Sequence, residues 1–246
     1  LKGYPSRVHS KASYNLLGGS ISYDIDLSLN QDDINASGYL VYPTFPTDYY
    51  CDSSGYSRFC FETDLSETNG RNAIATTWHS IIDMKEKNYY PSPCIKGKNN
   101  CACDQNGCAK KSYFSKGWVD KGGCHFTGVL DATIIDTQYP FTVYTQFTKS
   151  GEMTTYYIQK GNSIEAFNNI TSFTNGDQKP LKGDQKALAN QMKTNGAVII
   201  FSMWQGWSPL QNFCKAAPVG SIIDSQYTIS NIQVNGVVVQ KGIQPP

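Results

Sequence analysis

Residues 59–70 read Phe59-Cys60-Phe61-Glu62-Thr63-Asp64-Leu65-Ser66-Glu67-Thr68-Asn69-Gly70, with three acids inside the six residues from Glu62 to Glu67. The alternation of apolar and polar residues predicts a strand. On a strand Glu62 and Asp64 share one face, while Phe61, Thr63 and Leu65 share the other and can be buried. Glu67 breaks that parity. A β-bulge near Leu65-Ser66 would turn it back to the face of the other two acids, and bulges are frequent beside active sites. Like charges on one sheet face repel and gain nothing for stability, so the cluster calls for a chemical reason.

Outward from this stretch the pattern remains β. Ser20 to Leu27 alternates, with Ile21, Tyr23, Ile25 and Leu27 on one face. Phe141 to Thr148 and Thr154 to Gln159 flank Lys149-Ser150-Gly151-Glu152, which predicts an antiparallel hairpin. Val198 to Met203 is a nearly continuous apolar run, as in a buried strand, and Tyr227 to Val234, Asn235-Gly236 and Val237 to Gln240 predict a closing hairpin. One short helix is predicted from Asp184 to Thr194, with Leu188 and Met192 on one face, Asp184 as N-cap and Asn195-Gly196 as the stop. Between Tyr89 and Lys121 the periodicity gives way to Pro, Gly, Lys, Asn and Cys, which predicts a loop stapled by disulfides. No repeat and no linker divides the 246 residues. The expectation is one all-β domain over residues 1–246, two antiparallel sheets packed face to face.

Charges nearly cancel, with 21 Lys plus Arg against 20 Asp plus Glu. That excludes the basic field needed to hold a nucleic-acid backbone or an anionic membrane surface. Sixteen Tyr and four Trp among few charges suit a surface that meets neutral sugar rings. Eight cysteines predict disulfides formed in an oxidising compartment, hence secretion. A zinc site built from Cys94, Cys101, Cys103, Cys108 and Cys124 is the competing reading, but a paired C-x-x-C is lacking and only His125 is near, so no metal is expected. Asn35-Ala36-Ser37 and Asn169-Ile170-Thr171 are sequons, which makes Asn35 and Asn169 candidate glycosylation sites. No apolar run approaches the roughly 18 residues that span a bilayer, and no leader precedes Leu1, so the chain reads as a processed protein off the membrane; a monomer is the expectation. Neither a nucleophilic Ser or Cys constellation nor a phosphate-cradling Gly loop appears.

The acids remain the chemical signal. Retaining glycoside hydrolysis needs two carboxyl groups about 5–5.5 Å apart, one ionised as nucleophile and one protonated as acid, and a third acid can tune the pair. In chain order Glu62 suits the nucleophile, Asp64 the tuning partner and Glu67 the acid/base. The stretch E-T-D-L-S-E-T-N-G resembles the E-x-D-x-x-E-x-N signature of glycoside hydrolase family 7, the fungal cellobiohydrolases and endoglucanases. Upstream, Asn15-Leu16-Leu17-Gly18-Gly19-Ser20-Ile21-Ser22-Tyr23-Asp24-Ile25-Asp26-Leu27-Ser28 is similar to a strand that precedes the catalytic one in that family. Downstream, in the family's order, come Thr76-Thr77-Trp78-His79, Cys103-Asp104-Gln105-Asn106-Gly107-Cys108, Phe141 to Tyr157, Ser202-Met203-Trp204 and Ser230-Asn231-Ile232. The likeness covers residues 14 to 240 approximately.

The resemblance implies a concanavalin A-like β-sandwich, or jelly roll, whose concave sheet holds a glucan chain. It implies retaining roles for Glu62, Asp64 and Glu67, a place near the substrate for His79 and a stacking platform in Trp204; Trp78 and Gln159 are further candidates for substrate binding. It also pairs Cys103 with Cys108, and hairpin-like spacing pairs Cys51 with Cys60; Cys94, Cys101, Cys124 and Cys214 keep three possible pairings. This chain is shorter than family members, has Gln205 where an acid is expected, has His79 one position further from Glu67 and has Tyr113-Phe114 in place of an Arg. An open groove and endo-acting hydrolysis of β-1,4- or β-1,3-glucan, with no cofactor, follow as expectations. A lectin-like glucan-binding or cell-wall protein on the same fold is the alternative.

Overall fold

The computed structural model describes residues 6–31, 34–43, 51–53, 60–69, 73–79, 108–109, 113–114, 135–168, 182–205 and 221–242. Asn169, Cys94, Cys101, Cys103, Cys124, Cys214 and His125 lie outside these residues, as does most of the predicted stapled loop. The strands are β1 (Ser6–Asp26), β2 (Ile34–Tyr42), β3 (Phe61–Asn69), β4 (Ala73–His79), β5 (Cys108–Ala109), β6 (Tyr113–Phe114), β7 (Phe141–Phe147), β8 (Met153–Gln159), β9 (Asn162–Asn168), β10 (Ala197–Gln205) and β11 (Thr228–Lys241). Among the described residues one α-helix, α1 (Lys182–Thr194), stands before β10.

All pairings are antiparallel, in the order β5-β4-β3-β2-β10-β1-β7-β8-β9. The two layers of the sandwich are joined through β1. Its first half pairs with β10 from Ser6 to Tyr14, and its second half pairs with β7 from Ser20 to Ile25. Strand β11 runs beside both halves. The register irregularity between them spans Gly18, whose φ of +76° a side chain would resist.

Both layers feed one core. Ile34, Ala36, Leu40 and Tyr42 of β2, Phe61 and Leu65 of β3, and Ile74 and Trp78 of β4 meet Phe141, Val143 and Phe147 of β7 and Tyr157 of β8. Leu188 and Met192 of α1 join the same core. The helix stops where Asn195-Gly196 predicts: both residues donate backbone N–H to Gln191 O, at 2.8 and 3.2 Å, and Gly196 takes a left-handed φ of +77°. The hairpin between β7 and β8 closes on Thr148 and Glu152, whose backbone groups bond at 2.8 Å.

The predicted closing hairpin at Asn235-Gly236 does not form. These residues lie inside the continuous strand β11, where it passes an irregularity of β1 between Asn15 and Ser20. Glycine serves close approach there rather than a turn: a Cβ at Gly236 would stand 2.8 Å from Asn15 O and from Leu16 Cδ2.

At Gly19 a Cβ would run into the Asn235 carbonyl, a backbone group with no room to withdraw. Gly19→Ala is therefore expected to cost about 1–3 kcal/mol through displacement of β11. Urea unfolding should show a lower midpoint at unchanged slope; a midpoint equal to wild type would contradict this close approach.

Candidate active site

The face of β2, β3, β4 and β10 turned away from the core carries the acids. Glu62 pairs across to Val41 of β2 and His79 of β4, and Asp64 to Tyr39 and Thr77. Between Asp64 and Glu67 the register slips: Leu65 and Ser66 together oppose Thr76. Both turn into the core, Leu65 by packing and Ser66 by bonding the buried Tyr23 hydroxyl at 2.7 Å. Glu67 is thereby returned to the face of Glu62 and Asp64, and all three are largely shielded from water, at 9%, 4% and 8% exposure.

Each carboxyl has its own partner. Glu62 Oε2 accepts two hydrogen bonds from Ser53, from the backbone N–H at 2.9 Å and from Oγ at 2.6 Å. Ser53 is brought there by the Cys51–Cys60 disulfide, reinforced by the Cys60 N–H to Asp52 O bond of 3.1 Å. The disulfide packs on the apolar part of the same face, against Tyr39, Val41, Val198 and Ile200. Asp64 Oδ2 meets His79 Nε2 at 2.8 Å. Glu67 Oε1 accepts from Asn35 Nδ2 at 3.1 Å, and Asn35 Oδ1 in turn accepts the Thr68 N–H at 3.2 Å.

Burial, then the charge of Asp64, pushes the Glu62 carboxyl up to about 7, while His79 and the Ser53 bonds pull it back. The same causes, burial first, hold Glu67 well above the ordinary carboxylate range, with the charges of His79 and the Asn35 bond opposing. Burial alone would lower the His79 pKa, but the bond to Asp64 and the surrounding negative charges overcome it and raise the imidazole to about 10. The cluster therefore holds a cationic His79 clamped on Asp64 between two carboxyl groups that take up protons readily. Glu62, Asp64 and His79 offer ligand atoms within 4.8 Å of one another. A cation bound by these three would require His79 to surrender its proton and its bond to Asp64.

Among the residues assigned to substrate binding, Trp204 and His79 lie on this face. Trp204 is half-buried and pairs with Asn35, the partner of Glu67. Trp78 and Gln159 do not reach it. Trp78 is 1% exposed and packs in the core, because it sits on β4 at the parity opposite His79. Gln159 ties down the turn before β7: its amide nitrogen Nε2 donates to the carbonyls of Asp136, Tyr139 and Pro140, and its Oε1 accepts the Asp136 N–H. Asn35 is a correction of a different kind. It is fully buried, and the nitrogen a glycan would occupy is bonded to Glu67, so the folded chain has no room for a sugar there. Ser53 and Asn35 are the partners that the sequence reading missed. Cys60 lies two residues before Glu62, so whatever is disulfide-linked to Cys60 comes to rest beside that carboxyl.

No family model matches the chain. It is 28% identical over 260 residues to the endoglucanase EG-1 of Trichoderma longibrachiatum, an alignment covering 89% of this chain and 50% of that protein. The chain is thus similar in sequence to an endoglucanase and in fold to family 7 glycoside hydrolases. It spans half the length of this curated relative. Solved structures agree on the fold. A Melanocarpus albomyces cellobiohydrolase complexed with cellotetraose superposes with a TM-score of 0.57 at 18% identity, covering 98% of this chain and 76% of that one. A family 7 cellobiohydrolase from Daphnia pulex gives 0.55 at 17%, covering 92% and 73%. The native Humicola insolens endocellulase gives 0.52 at 19%, covering 94% and 72%. The family 7 sandwich thus accommodates this chain along nearly its whole length.

Two predictions follow from the electrostatics. Ser53→Ala deletes a bond that favours the carboxylate, so the Glu62 titration, followed by carbon-13 NMR, should move above its starting value of about 7; a fall, or no movement, would contradict the assignment of Ser53. Stability should decline from mildly acidic to alkaline pH. With its pKa raised from 4.5 to about 7, folded Glu62 binds protons more tightly than the unfolded chain, and that stabilisation is lost as pH rises through 7. The contribution of His79, raised from 6.5 to about 10, is complete below 6.5 and lost as pH rises through 10. Calorimetry should find a higher Tm at mildly acidic pH than at mildly alkaline pH; a stability maximum on the alkaline side would refute both shifts.

Proposed function

We propose that the chain is a secreted, retaining glycoside hydrolase that cuts β-1,4-glucan within the chain. The observation that carries this reading is the bulge, which sets Glu62 and Glu67 on one face with unequal surroundings. Glu62 accepts two hydrogen bonds on one oxygen and Glu67 accepts one from a neutral amide, so the negative charge is better supported on Glu62. Glu62 then attacks the anomeric carbon while Glu67 gives its proton to the departing glycosidic oxygen. In the second half Glu67 takes a proton from water, whose oxygen releases the sugar from Glu62. Asp64, clamped by His79, lies between them in sequence and keeps both carboxyl groups avid for protons. Trp204 offers a partly open indole face beside Asn35 for a sugar ring.

The relatives favour the same chemistry. The curated relative is an endoglucanase, solved structures of similar fold hold cellobiose or cellotetraose, and glycosynthase mutants of the Humicola insolens endocellulase replace one glutamate by Ala or Ser. Secretion is supported by the Cys51–Cys60 disulfide. Among the described residues no helix is long and apolar enough to cross a membrane.

Wild-type protein should release reducing sugar from soluble β-1,4-glucan, with activity rising on the acid side through the Glu62 titration near 7. Glu62→Gln and Glu67→Gln should each lower the rate by about a thousandfold or more. Glucan binding without sugar release in the wild type would replace the hydrolase by a glucan-binding protein.

A further inference from the structure

If Glu62 and Glu67 are the reacting pair, the bulge decides where Glu67 stands, and its core side is bonded in a way that the chemistry above does not use. Because Leu65 and Ser66 oppose Thr76 together, the ladder leaves groups on the bulge to be satisfied otherwise. The Leu65 carbonyl accepts from Thr76 Oγ1 at 2.8 Å. With that hydroxyl hydrogen committed, Thr76 Oγ1 accepts from the Tyr157 hydroxyl, 2.7 Å away. Ser66 Oγ bonds the Tyr23 hydroxyl, also at 2.7 Å. The two tyrosines come from β8 and β1, on the core side of β3, and both are sealed in the core at 0% and 1% exposure.

Their rings are fixed as well. Tyr23 stands edge-on to Phe201 with centroids 5.0 Å apart, and Tyr157 stands edge-on to Phe141 at 6.0 Å. Gly38 of β2 leaves the space through which the Tyr23 phenol passes: a Cβ there would collide with the hydroxyl and lie 2.8 Å from Cζ. Shifting β3 by one residue would turn Glu67 into the core, take the Ser66 hydroxyl from Tyr23 and take the Leu65 carbonyl from the Thr76 that Tyr157 holds.

We propose that Tyr23 and Tyr157 are positioning residues for Glu67, holding the Leu65–Ser66 bulge through Ser66 and Thr76 in the register that turns Glu67 to the groove and against Asn35. The inference rests on the hydrolase reading for its consequence in rate and on geometry alone for the placement of Glu67. The test uses Tyr23→Phe, Ser66→Ala and Tyr157→Phe, with Tyr42→Phe as the comparison. Tyr42 bonds Thr63 Oγ1 at 3.2 Å on the same strand, ahead of the bulge, so its loss removes a similar buried bond without touching the register.

Two readouts are needed: kcat and KM on a soluble cello-oligosaccharide, and hydrogen exchange of the Asn35 side-chain amide that bonds Glu67. Tyr23→Phe and Tyr157→Phe should each lower kcat by about tenfold or more with KM little changed, and should speed Asn35 amide exchange. The Tyr23→Phe, Ser66→Ala double variant should be no worse than either single one, while Tyr42→Phe should spare both readouts. Wild-type kcat and Asn35 exchange in folded Tyr23→Phe and Tyr157→Phe would overturn the positioning role and leave the hydrolase standing. An equal loss in Tyr42→Phe would also overturn it, as general loosening of the core. A wild type that releases no sugar would overturn the hydrolase alone; faster Asn35 exchange in the Tyr23 and Tyr157 variants, and not in the Tyr42 variant, would still uphold the positioning role.

Discussion

Strand β3 must bury three carboxyl groups on one face while it keeps Phe61 and Leu65 in the core, and strict alternation allows only two of the three acids to share a face. The extra inward residue at Leu65–Ser66 resolves that conflict. Much of the surrounding structure follows from it. The core beneath must accept a serine hydroxyl, which the phenol of Tyr23 does, and β2 must carry glycine at 38 so that the phenol can arrive. The neighbouring strand must supply a hydroxyl for the freed carbonyl, which Thr76 does.

The same bulge creates an electrostatic problem on the opposite face. Carboxyl groups withdrawn from water beside one another resist ionisation, and the fold meets this by pairing rather than by exposure. His79 neutralises Asp64, Ser53 supports Glu62 and Asn35 supports Glu67. None of these partners is a strong enough donor to return Glu62 or Glu67 to an ordinary pKa, and a pair of carboxyl groups poised to exchange protons is what glycoside cleavage requires. Stability is given up at the site on the alkaline side, where both groups are driven to ionise.

Much of this was legible in the sequence because parity is a local property. The placement of Glu62 and Asp64 against Phe61 and Leu65, the bulge and the hairpin at Lys149-Ser150-Gly151-Glu152 all depend on neighbours along the chain. What misled was chemistry that depends on distant strands. Asn235-Gly236 is a common turn signal, yet here β1 approaches β11 so closely that the glycine is needed within a strand. Asn35-Ala36-Ser37 has the form of a sequon, but β2 lies at the centre of the layer and buries it. Trp78 and His79 were assigned together to substrate, although adjacent residues of a strand cannot share a face. Ser53 was missed because its place beside Glu62 follows from the Cys51–Cys60 bridge and not from parity along β3.

The central claim, that Glu62 is the group which bonds to sugar, is tested most directly by trapping. The wild-type protein would be incubated with a 2-deoxy-2-fluoro cellobioside bearing a good leaving group, which slows release of a glycosyl-enzyme more than its formation, and the digest read by mass spectrometry. One adduct, on the peptide containing Glu62 and absent from Glu62→Gln, is the predicted result. A protein that turns over the reagent without any adduct, or carries it on Glu67, would contradict the account.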